Sequence, residues 1–336
     1  MESYYVELTE IGRSHLNKEE IDTSDLKEDE ALIKCEYSMI SAGTELSRAY
    51  ALKKGFSYPV RPGYCMVGRI VEKGKNIDAE VGDLVFCNAP HSSFVRWKNT
   101  DTLQGSHIIR LNEKIDPVEA TAMNLLLVAI QGVNLTKTRL GDVVAVYGLG
   151  NIGILTALMY QKMGCKVIGI DPMEYRRNIA LKMGLKYTAG NDSEELIASL
   201  TKGKGADICV DATGLSNVII DCVSHTKQYG QVVLLGSPRQ SYEADITPVF
   251  SMIHMKNLKV LGAFNQTTSV LPKEGSDDSL LRNFEVCQDL IINKDIDVSK
   301  MITKIIDPED CEKAYEELMY HKDEVNCIVY DWRKYQ

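Results

Sequence analysis

The chain has 336 residues, of which 44% are hydrophobic and 25% are charged, a composition ordinary for a globular protein. This length exceeds what one hydrophobic core usually supports, so we expect two domains. A net charge of −9 without a basic cluster argues against nucleic acid or an anionic membrane surface as a partner. No apolar stretch approaches the roughly 18 residues of a membrane span, and no signal-peptide pattern opens the chain, so we expect a cytoplasmic protein.

The nine cysteines are scattered along the chain, and the closest two, Cys209 and Cys222, are 13 residues apart. This spacing matches neither a CxxC zinc site nor a compact disulfide framework. We therefore expect reduced cysteines that mostly serve as small core residues.

The first part of the chain is predicted to be rich in β-strands. Apolar and polar residues alternate at 4–8 and 30–37, as they do in half-buried strands. A helical turn is expected near 46–52. Further strands are expected at 67–72 and 81–86, and another one follows the loop that contains His91.

From residue 117 to about 133 the pattern becomes helical, and an alternating α/β region begins at Gly141. Helices between strands imply a parallel, doubly wound sheet. Its strands are expected near 143–147, 166–170, 186–189, 207–212, 231–236 and 259–264. A polar loop at 265–279, helices at 280–292 and 308–320, and a last strand at 326–330 complete the chain, and we expect the tail to return to the first domain.

The most informative stretch is Gly148-Leu-Gly150-Asn-Ile-Gly153, which joins a predicted strand to a predicted helix. Gly148 permits a sharp turn, Gly150 lets the backbone approach a pyrophosphate, and Gly153 lets the helix pack closely on the strand. Asp171 ends the next strand, where a carboxylate accepts hydrogen bonds from the adenosine ribose and repels a 2′-phosphate. The pattern predicts a βαβ dinucleotide-binding unit that favours NAD over NADP.

Other residues are placed by this prediction beside the cofactor crevice, because they follow Gly150 or lie at or after the carboxyl ends of the strands. They are Asn151, Ile152, Thr213, Gly214, Gly236, Ser237 and Phe264, with Arg176 on the helix after Asp171. Ordinary turn glycines and, for Arg176, a surface charge are the alternatives.

Three features carry a resemblance to a known family: the β-rich first part, the helix that leads into the glycine turn, and the C-terminal helix with the sequence AYEEL (314–318) and the strand after it. With them, the chain resembles the medium-chain dehydrogenase/reductases, the alcohol dehydrogenase superfamily, over essentially its whole length. Its pattern is most similar to the zinc-lacking subgroup typified by bacteriochlorophyllide a dehydrogenase, at Ser41-Ala-Gly-Thr-Glu45, Pro62-Gly-Tyr64, Gly68-Arg69 and Pro90-His91.

The resemblance implies a domain organisation of the α/β class. Residues 1–120 and 268–336 are expected to form a β-rich, GroES-like catalytic domain, and residues 121–267 a Rossmann domain. It also places the loops after the strands at 207–212 and 231–236 beside the nicotinamide half of the cofactor.

The resemblance points as well to missing metal ligands. The positions that carry the catalytic zinc ligands in zinc-dependent members hold Ala42, Tyr64 with Cys65, and Met123 or Asn124. Ala and Met are not ordinary zinc ligands, and Cys65 alone does not complete a three-ligand site. The four-Cys lobe that binds structural zinc has no counterpart either. We therefore expect neither a catalytic nor a structural zinc.

Without a Lewis acid, oxidation of an alcohol needs a side-chain base or relay. His91 is the first candidate, because its ordinary pKa lies near neutrality, and Tyr64 is the second, as proton donor or oxyanion partner. Ser41, Thr44 and Glu45 complete the candidate set. The alternatives are structural: His91 as a hydrogen-bonding loop residue, Tyr64 as filler of the vacated metal cavity, Glu45 as a fold-stabilising carboxylate, and Ser41 and Thr44 as turn caps.

The sequence thus predicts a zinc-independent, NAD-dependent oxidoreductase that interconverts a secondary alcohol and a ketone. Sugars, polyols and hydroxy acids all fit as small-molecule substrates. An NADPH quinone or enoyl reductase of the same superfamily is one alternative, and an NAD-binding protein without turnover is another. As in related dimers, the strand at 258–264 is expected to pair with that of a second copy, which predicts a homodimer or homotetramer.

Overall fold

The computed structural model describes residues 1–52, 55–100, 105–264, 268–272, 274 and 278–336. The chain forms two compact units, one made of Met1–Asn124 with Gln266–Gln336 and the other of Leu125–Asn265. Among the described residues, no helix has the length and apolar character needed to cross a membrane. All nine cysteines are free and buried, as expected for reduced core residues. The loop predicted at 265–279 lies partly outside the described ranges.

Fifteen strands and ten α-helices are present in the described residues. The strands are β1 (Glu2–Glu10), β2 (Arg13–Glu20), β3 (Glu30–Met39), β4 (Met66–Lys73), β5 (Leu84–Cys87), β6 (Phe94–Lys98), β7 (Ile108–Arg110), β8 (Val143–Tyr147), β9 (Lys166–Ile170), β10 (Tyr187–Ala189), β11 (Ala206–Asp211), β12 (Thr226–Leu234), β13 (Lys259–Gly262), β14 (Lys304–Ile306) and β15 (Ile328–Asp331). The helices are α1 (Ala42–Ala49), α2 (Pro117–Ala120), α3 (Met123–Asn134), α4 (Asn151–Lys162), α5 (Glu174–Lys182), α6 (Ser193–Thr201), α7 (Ser216–His225), α8 (Thr247–Lys256), α9 (Leu280–Ile292) and α10 (Cys311–Tyr320).

The first unit is built on a seven-stranded sheet and a separate hairpin of β1 and β2. The sheet runs in the order β14-β15-β3-β4-β5-β7, and β6 also pairs with β3. Because β15 pairs antiparallel with β3, the end of the chain returns to the first unit, as predicted. The core of this unit includes Val6, Ile33, Met66, Tyr315 and Trp332, so it joins residues from both ends of the sequence.

The second unit is a six-stranded sheet in the order β10-β9-β8-β11-β12-β13, with every neighbouring pair parallel. This is the strand order of a doubly wound dinucleotide-binding fold, and the order reverses between β8 and β11. All five residues of β8 are buried, because helices cover both faces of a parallel sheet. The predicted α/β fold class, a β-rich part followed by a doubly wound parallel sheet, is confirmed.

Several element bounds differ from the sequence prediction. The strand expected at 81–86 begins at Leu84, because Val81 lies in the preceding turn with 63% of its surface exposed. The helical stretch expected at 117–133 is divided into α2 and α3, with buried Thr121 and Ala122 between them. Strand β2 was not predicted. Its sequence RSHLNKEE is mostly polar and charged, so it lacks the apolar residues at every second position that mark a half-buried strand.

Candidate active site

The glycine turn of the second unit has the geometry that its sequence predicts. Gly148 has φ +90, a left-handed conformation that favours glycine. Gly153 lies so close to the strand end that a Cβ atom would sit 1.8 Å from the carbonyl oxygen of Gly148. Gly150, by contrast, has no atom within 4 Å of its Cβ position, and it precedes the first residue of α4. An open space in front of a helix N-terminus suits an anionic group such as a pyrophosphate.

Asp171 lies directly beside this turn. Its carboxylate is 3% exposed and accepts hydrogen bonds from the backbone N–H groups of Leu149 and Met173, both at 2.9 Å. Arg176 places Nη1 at 3.6 Å from Oδ2 of Asp171, so the predicted acid and the predicted base on the next helix are neighbours. Both carboxylate oxygens retain lone pairs that can accept further hydrogen bonds.

The loops after β11 and β12 also meet each other. The Asp211 carboxylate accepts from the backbone N–H groups of Thr213 at 2.8 Å and Gly214 at 3.2 Å, which fixes the turn. A Cβ on Gly236 would lie 2.2 Å from the Gly214 nitrogen, and a Cβ on Gly148 would lie 2.6 Å from Cγ2 of Thr213. The three predicted turns therefore converge at the carboxyl end of the sheet.

The remaining predicted cofactor residues have different surroundings. Asn151 opens α4, and its side-chain Oδ1 is buried without a hydrogen-bond partner among the described residues. Ile152 is half-buried next to it, and Ser237 is exposed after Gly236. Phe264 follows β13, the last strand of the sheet, and is 54% exposed. An unpartnered buried oxygen such as that of Asn151 is a polar group that a bound ligand can satisfy.

In the first unit, a buried carboxylate organises the catalytic candidates. Glu45 lies in the first turn of α1 and is 1% exposed. Its Oε1 accepts from the backbone N–H of Ser41 at 2.7 Å, which ties the carboxylate to the start of its own helix. Its Oε2 accepts from the Tyr315 hydroxyl at 2.6 Å and lies 3.0 Å from Nε2 of His91.

His91 is fully buried, and both of its ring nitrogens are engaged by the protein. Its Nδ1 lies 2.8 Å from the Ser38 hydroxyl, which accepts from Nε1 of Trp332, also at 2.8 Å. A consistent assignment has Ser38 donating to Nδ1 and Nε2–H donating to an ionised Glu45, with a neutral imidazole. Nothing of the ring is exposed.

The Pro62-Gly-Tyr64 motif explains how His91 comes to lie there. Gly63 has φ +106, and a Cβ at this position would lie 2.6 Å from the backbone nitrogen of His91. That nitrogen donates to the Pro62 carbonyl at 2.9 Å. The two motifs recognised in the sequence therefore pack directly against each other.

Tyr64 is the half-buried member of the set. Its hydroxyl donates to Oγ of Ser41, and Thr44, which is exposed, is a second hydrogen-bonding neighbour. Burial raises the pKa of Tyr64 well above its ordinary value, and the bonds to the two hydroxyls oppose that shift without cancelling it. The phenol is therefore neutral near pH 7 and can donate a proton or a hydrogen bond.

The structure thus brings all five catalytic candidates into one cluster: Ser41, Thr44, Glu45, Tyr64 and His91. It adds three residues that the sequence reasoning missed, Ser38, Tyr315 and Trp332. Tyr315 lies in the AYEEL helix that contributed to the family resemblance, but nothing in its local sequence indicates a partner 270 residues earlier.

The side chains at the zinc-ligand positions do not form a ligand set. The thiol of Cys65 is fully buried, and burial raises its pKa. The Tyr64 hydroxyl donates a hydrogen bond to Oγ of Ser41. Within the described ranges, no group of three or more His, Cys, Asp or Glu side chains is placed to hold a metal ion.

Comparisons with known proteins agree with this architecture. Residues 151–276 match the family of zinc-binding dehydrogenases. An L-threonine 3-dehydrogenase of Caldanaerobacter subterraneus is 27% identical over 251 residues, which cover 65% of this chain and 72% of the relative. A D-guloside 3-dehydrogenase of Shigella flexneri is 24% identical over 261 residues, 75% of this chain and 72% of the relative.

Solved structures share the fold along almost the whole chain. An alcohol dehydrogenase of Escherichia coli in complex with NADH aligns with a TM-score of 0.81 at 16% identity, covering 98% of this chain and 99% of the other. A protein of Sinorhizobium meliloti described as a zinc-binding dehydrogenase, bound to NADP, aligns with a TM-score of 0.78 at 19% identity, with the same coverage. The glycine turn, the sheet order and these similarities lead to one conclusion: residues 151–276 are related to the zinc-binding dehydrogenases, and the whole chain has the fold of the alcohol dehydrogenase-like oxidoreductases.

Proposed function

We propose that the chain is a zinc-independent, NAD(H)-dependent dehydrogenase that interconverts a secondary alcohol and a ketone. The unit Leu125–Asn265 is the cofactor-binding domain in this proposal, and the other unit is the catalytic domain. The observation that carries it is the glycine turn, in which Gly150 faces open space at a helix N-terminus beside a buried Asp171.

The described residues fit a dinucleotide. Backbone N–H groups at the start of α4 would hold the pyrophosphate, and Asp171 would accept from the adenosine ribose. The unpartnered Oδ1 of Asn151 would gain a hydrogen-bond donor. Bound NAD supplies the hydride acceptor for alcohol oxidation, and NADH the hydride donor for the reverse reaction.

We assign the transfer of a proton to and from the substrate oxygen to Tyr64. It is half-buried and neutral, so its hydroxyl can give its proton to the oxygen of a ketone as the hydride arrives, and the phenolate left behind regains a proton from solvent. In alcohol oxidation the steps run backwards: Tyr64 first loses its proton to solvent, and the phenolate then accepts the proton of the alcohol. His91, preferred on sequence grounds, is sealed in the interior with both nitrogens engaged. We therefore propose that His91 and Glu45 are positioning residues, which hold Ser41 and, through it, the Tyr64 hydroxyl.

Zinc independence is supported by the chemistry of the side chains rather than by family membership. Ala42 has no donor atom, and Cys65 alone does not complete a three-ligand site. A proton-donating phenol replaces the Lewis acid that stabilises the alkoxide in zinc enzymes. The likeness to the subgroup of bacteriochlorophyllide a dehydrogenase stays a sequence prediction.

A small polyhydroxylated or hydroxy-acid substrate is the class that we propose. The two relatives named above act, by their names, on a hydroxy amino acid and on a guloside, which both carry secondary alcohols. We also propose a homo-oligomer through β13, the last strand of its sheet, where Val260 is 42% exposed.

A direct test combines cofactor binding with a substrate screen. NADH is titrated against the protein and followed by its fluorescence, and NADH formation is then measured with NAD and a panel of sugars, polyols and hydroxy acids. We expect saturable NADH binding and turnover with at least one class. Binding without turnover over the whole panel would favour an NAD-binding protein, and turnover lost on chelation and restored by zinc would refute zinc independence.

A further inference from the structure

Arg48 carries a positive charge on the same helix as the catalytic candidates Ser41, Thr44 and Glu45. It lies in the last turn of α1 and is half-buried. In the part of the chain that the structure describes, its guanidinium makes neither a hydrogen bond nor an ion pair. A guanidinium carries several N–H donors in a planar fork, so this side chain keeps its full capacity to bind an anion.

Arg61, the next arginine along the chain, shows how a guanidinium is used by the fold itself. Its Nη1 and Nη2 donate to the Glu19 carboxylate at 2.6 Å and 2.7 Å, and its Cζ lies 3.6 Å from the centre of the Tyr5 ring. Arg48 has no such partners. Its position at the carboxyl-terminal end of α1 suits a positive charge, but that effect occupies none of its N–H donors.

The direction of the Arg48 side chain follows from the geometry of α1. Ser41, Thr44 and Arg48 are spaced i, i+3 and i+7, so they lie along one side of the helix. Helical side chains lean toward the N-terminus, so Arg48 extends over the small, exposed Thr44 toward Ser41. Ser41 Oγ is the atom to which the Tyr64 hydroxyl donates. The rise from Ser41 to Arg48 is about 10 Å, and the long arginine side chain covers much of it.

The backbone at both ends of this side of α1 is held in place. At the start, Ser41 accepts from the Tyr64 hydroxyl. At the end, the Arg48 carbonyl accepts from the Tyr58 hydroxyl and, at 3.2 Å, from the Ala51 N–H. The backbone of Arg48 is therefore fixed relative to Tyr64, and a ligand that joins the two side chains needs to order only the guanidinium.

We propose that Arg48 binds a carboxylate of the substrate, so that the chain acts on hydroxy acids rather than on neutral sugars or polyols. The inference rests on the proposed function, in which Tyr64 meets the oxygen of the substrate alcohol. A hydroxy acid carries its carboxylate a few bonds from that oxygen, and Arg48 extends toward Tyr64 along α1. Arginine suits this group, because its planar fork binds both carboxylate oxygens through charged hydrogen bonds.

The test compares acids with esters that share the same reacting alcohol. NADH formation is measured with NAD and a panel of short-chain 2- and 3-hydroxy acids, each beside its methyl ester, together with neutral sugars and polyols. We expect kcat/KM for at least one acid to exceed that for its ester roughly 10-fold or more. Arg48→Gln should lower kcat/KM for that acid roughly 10-fold or more, as for loss of a charged hydrogen bond, and change that for the ester by less than about threefold.

Lys313→Gln is the matched control, because it removes an exposed positive charge from α10, a helix that packs against α1. It should leave kcat/KM for the acid within about twofold of wild type. Arg48→Lys should retain part of the preference for the acid, since the charge stays while the planar fork is lost. NADH affinity should be unchanged in Arg48→Gln, because the proposed cofactor residues lie in the other unit.

Three outcomes would overturn the proposal. Esters that react as well as their acids would show that the charge of the substrate is not recognised. Equal loss of activity on acid and ester in Arg48→Gln, or no loss on the acid, would show that Arg48 does not bind the carboxylate. Turnover of neutral sugars or polyols but of no hydroxy acid would refute the substrate class and leave the proposed function intact, whereas no turnover with any compound would refute both.

Discussion

Replacing Glu45 with Gln tests the buried cluster of the first unit most sharply. The substitution keeps size and shape but puts an NH₂ group where one carboxylate oxygen stood. Oε2 of Glu45 accepts a hydrogen bond from the Tyr315 hydroxyl at 2.6 Å and lies 3.0 Å from Nε2 of His91. Oε1 accepts a hydrogen bond from the Ser41 N–H at 2.7 Å. Whichever way the amide is turned, its nitrogen faces at least one donor.

The magnitude follows from this geometry. A buried donor left without an acceptor costs about 1–3 kcal/mol, and the other bonds lose their charge assistance. The neutral amide is less costly to bury than a carboxylate, which offsets part of the loss. We expect a net loss of about 3 kcal/mol in the free energy of unfolding, and this lowers Tm by roughly 6–12 °C for a unit of about 150–250 residues.

The assay is calorimetric unfolding together with activity on the alcohol found in the screen. Since Ser41 would lose its tie to the carboxylate and Tyr64 its fixed acceptor, kcat should fall while NADH affinity stays close to wild type, because the cofactor residues lie in the other unit. Glu316→Gln is the matched control, an exposed carboxylate next to Tyr315 on α10 that should change stability by no more than about 0.5 kcal/mol. A Glu45→Gln protein that melts within about 1 °C of wild type, with normal kcat, would refute the reasoning.

Three further predictions concern the cofactor and the proton. Asp171→Ser should weaken NAD and improve NADP by roughly 1–3 kcal/mol each, measured by titration with both cofactors, and an unchanged preference would show that this carboxylate does not meet the ribose. Tyr64→Phe should lower kcat roughly 10²-fold or more with normal NADH affinity. His91→Asn should also lower Tm, because it leaves buried partners unpaired. A near-normal kcat in Tyr64→Phe together with a large loss of kcat in His91→Asn would return the proton transfer to His91. Gly150→Ala should fold normally and bind NADH poorly, since its Cβ enters open space, whereas Gly153→Ala should lose stability as well, because its Cβ would lie 1.8 Å from a carbonyl oxygen. Equal stability of the two alanine variants, compared by thermal melting, would contradict this account of the turn.

The local parts of the fold could be predicted because short-range physics determines them. Strand β8, the turn at Gly148 and helix α4 are encoded within 20 consecutive residues, and the observed strand matches the predicted 143–147. Helix α9 also matches its predicted bounds, since Ser279 caps it by accepting from the Arg282 N–H. The start of β5 was misplaced because an apolar residue, Val81, sits exposed in a turn, which no local pattern indicates.

The candidate site could be predicted in its members but not in its arrangement. Ser41, Glu45, Tyr64 and His91 were found because they lie in recognisable motifs. Whether a histidine titrates at a surface or is sealed in a core depends on residues far away in the sequence. Here Trp332, which reaches His91 through Ser38, belongs to the end of the chain.

These contacts between distant parts of the sequence determine the chemistry that we assign to each group. The Tyr315 hydroxyl and the Ser41 N–H occupy the Glu45 carboxylate, so a proton placed on it would displace a bond that holds the start of α1. Tyr64 is linked to Glu45 through Ser41 and stays half-buried, so it can meet a ligand without breaking those bonds. The network that removes His91 from contact with a substrate is therefore the same one that keeps the Tyr64 hydroxyl in place.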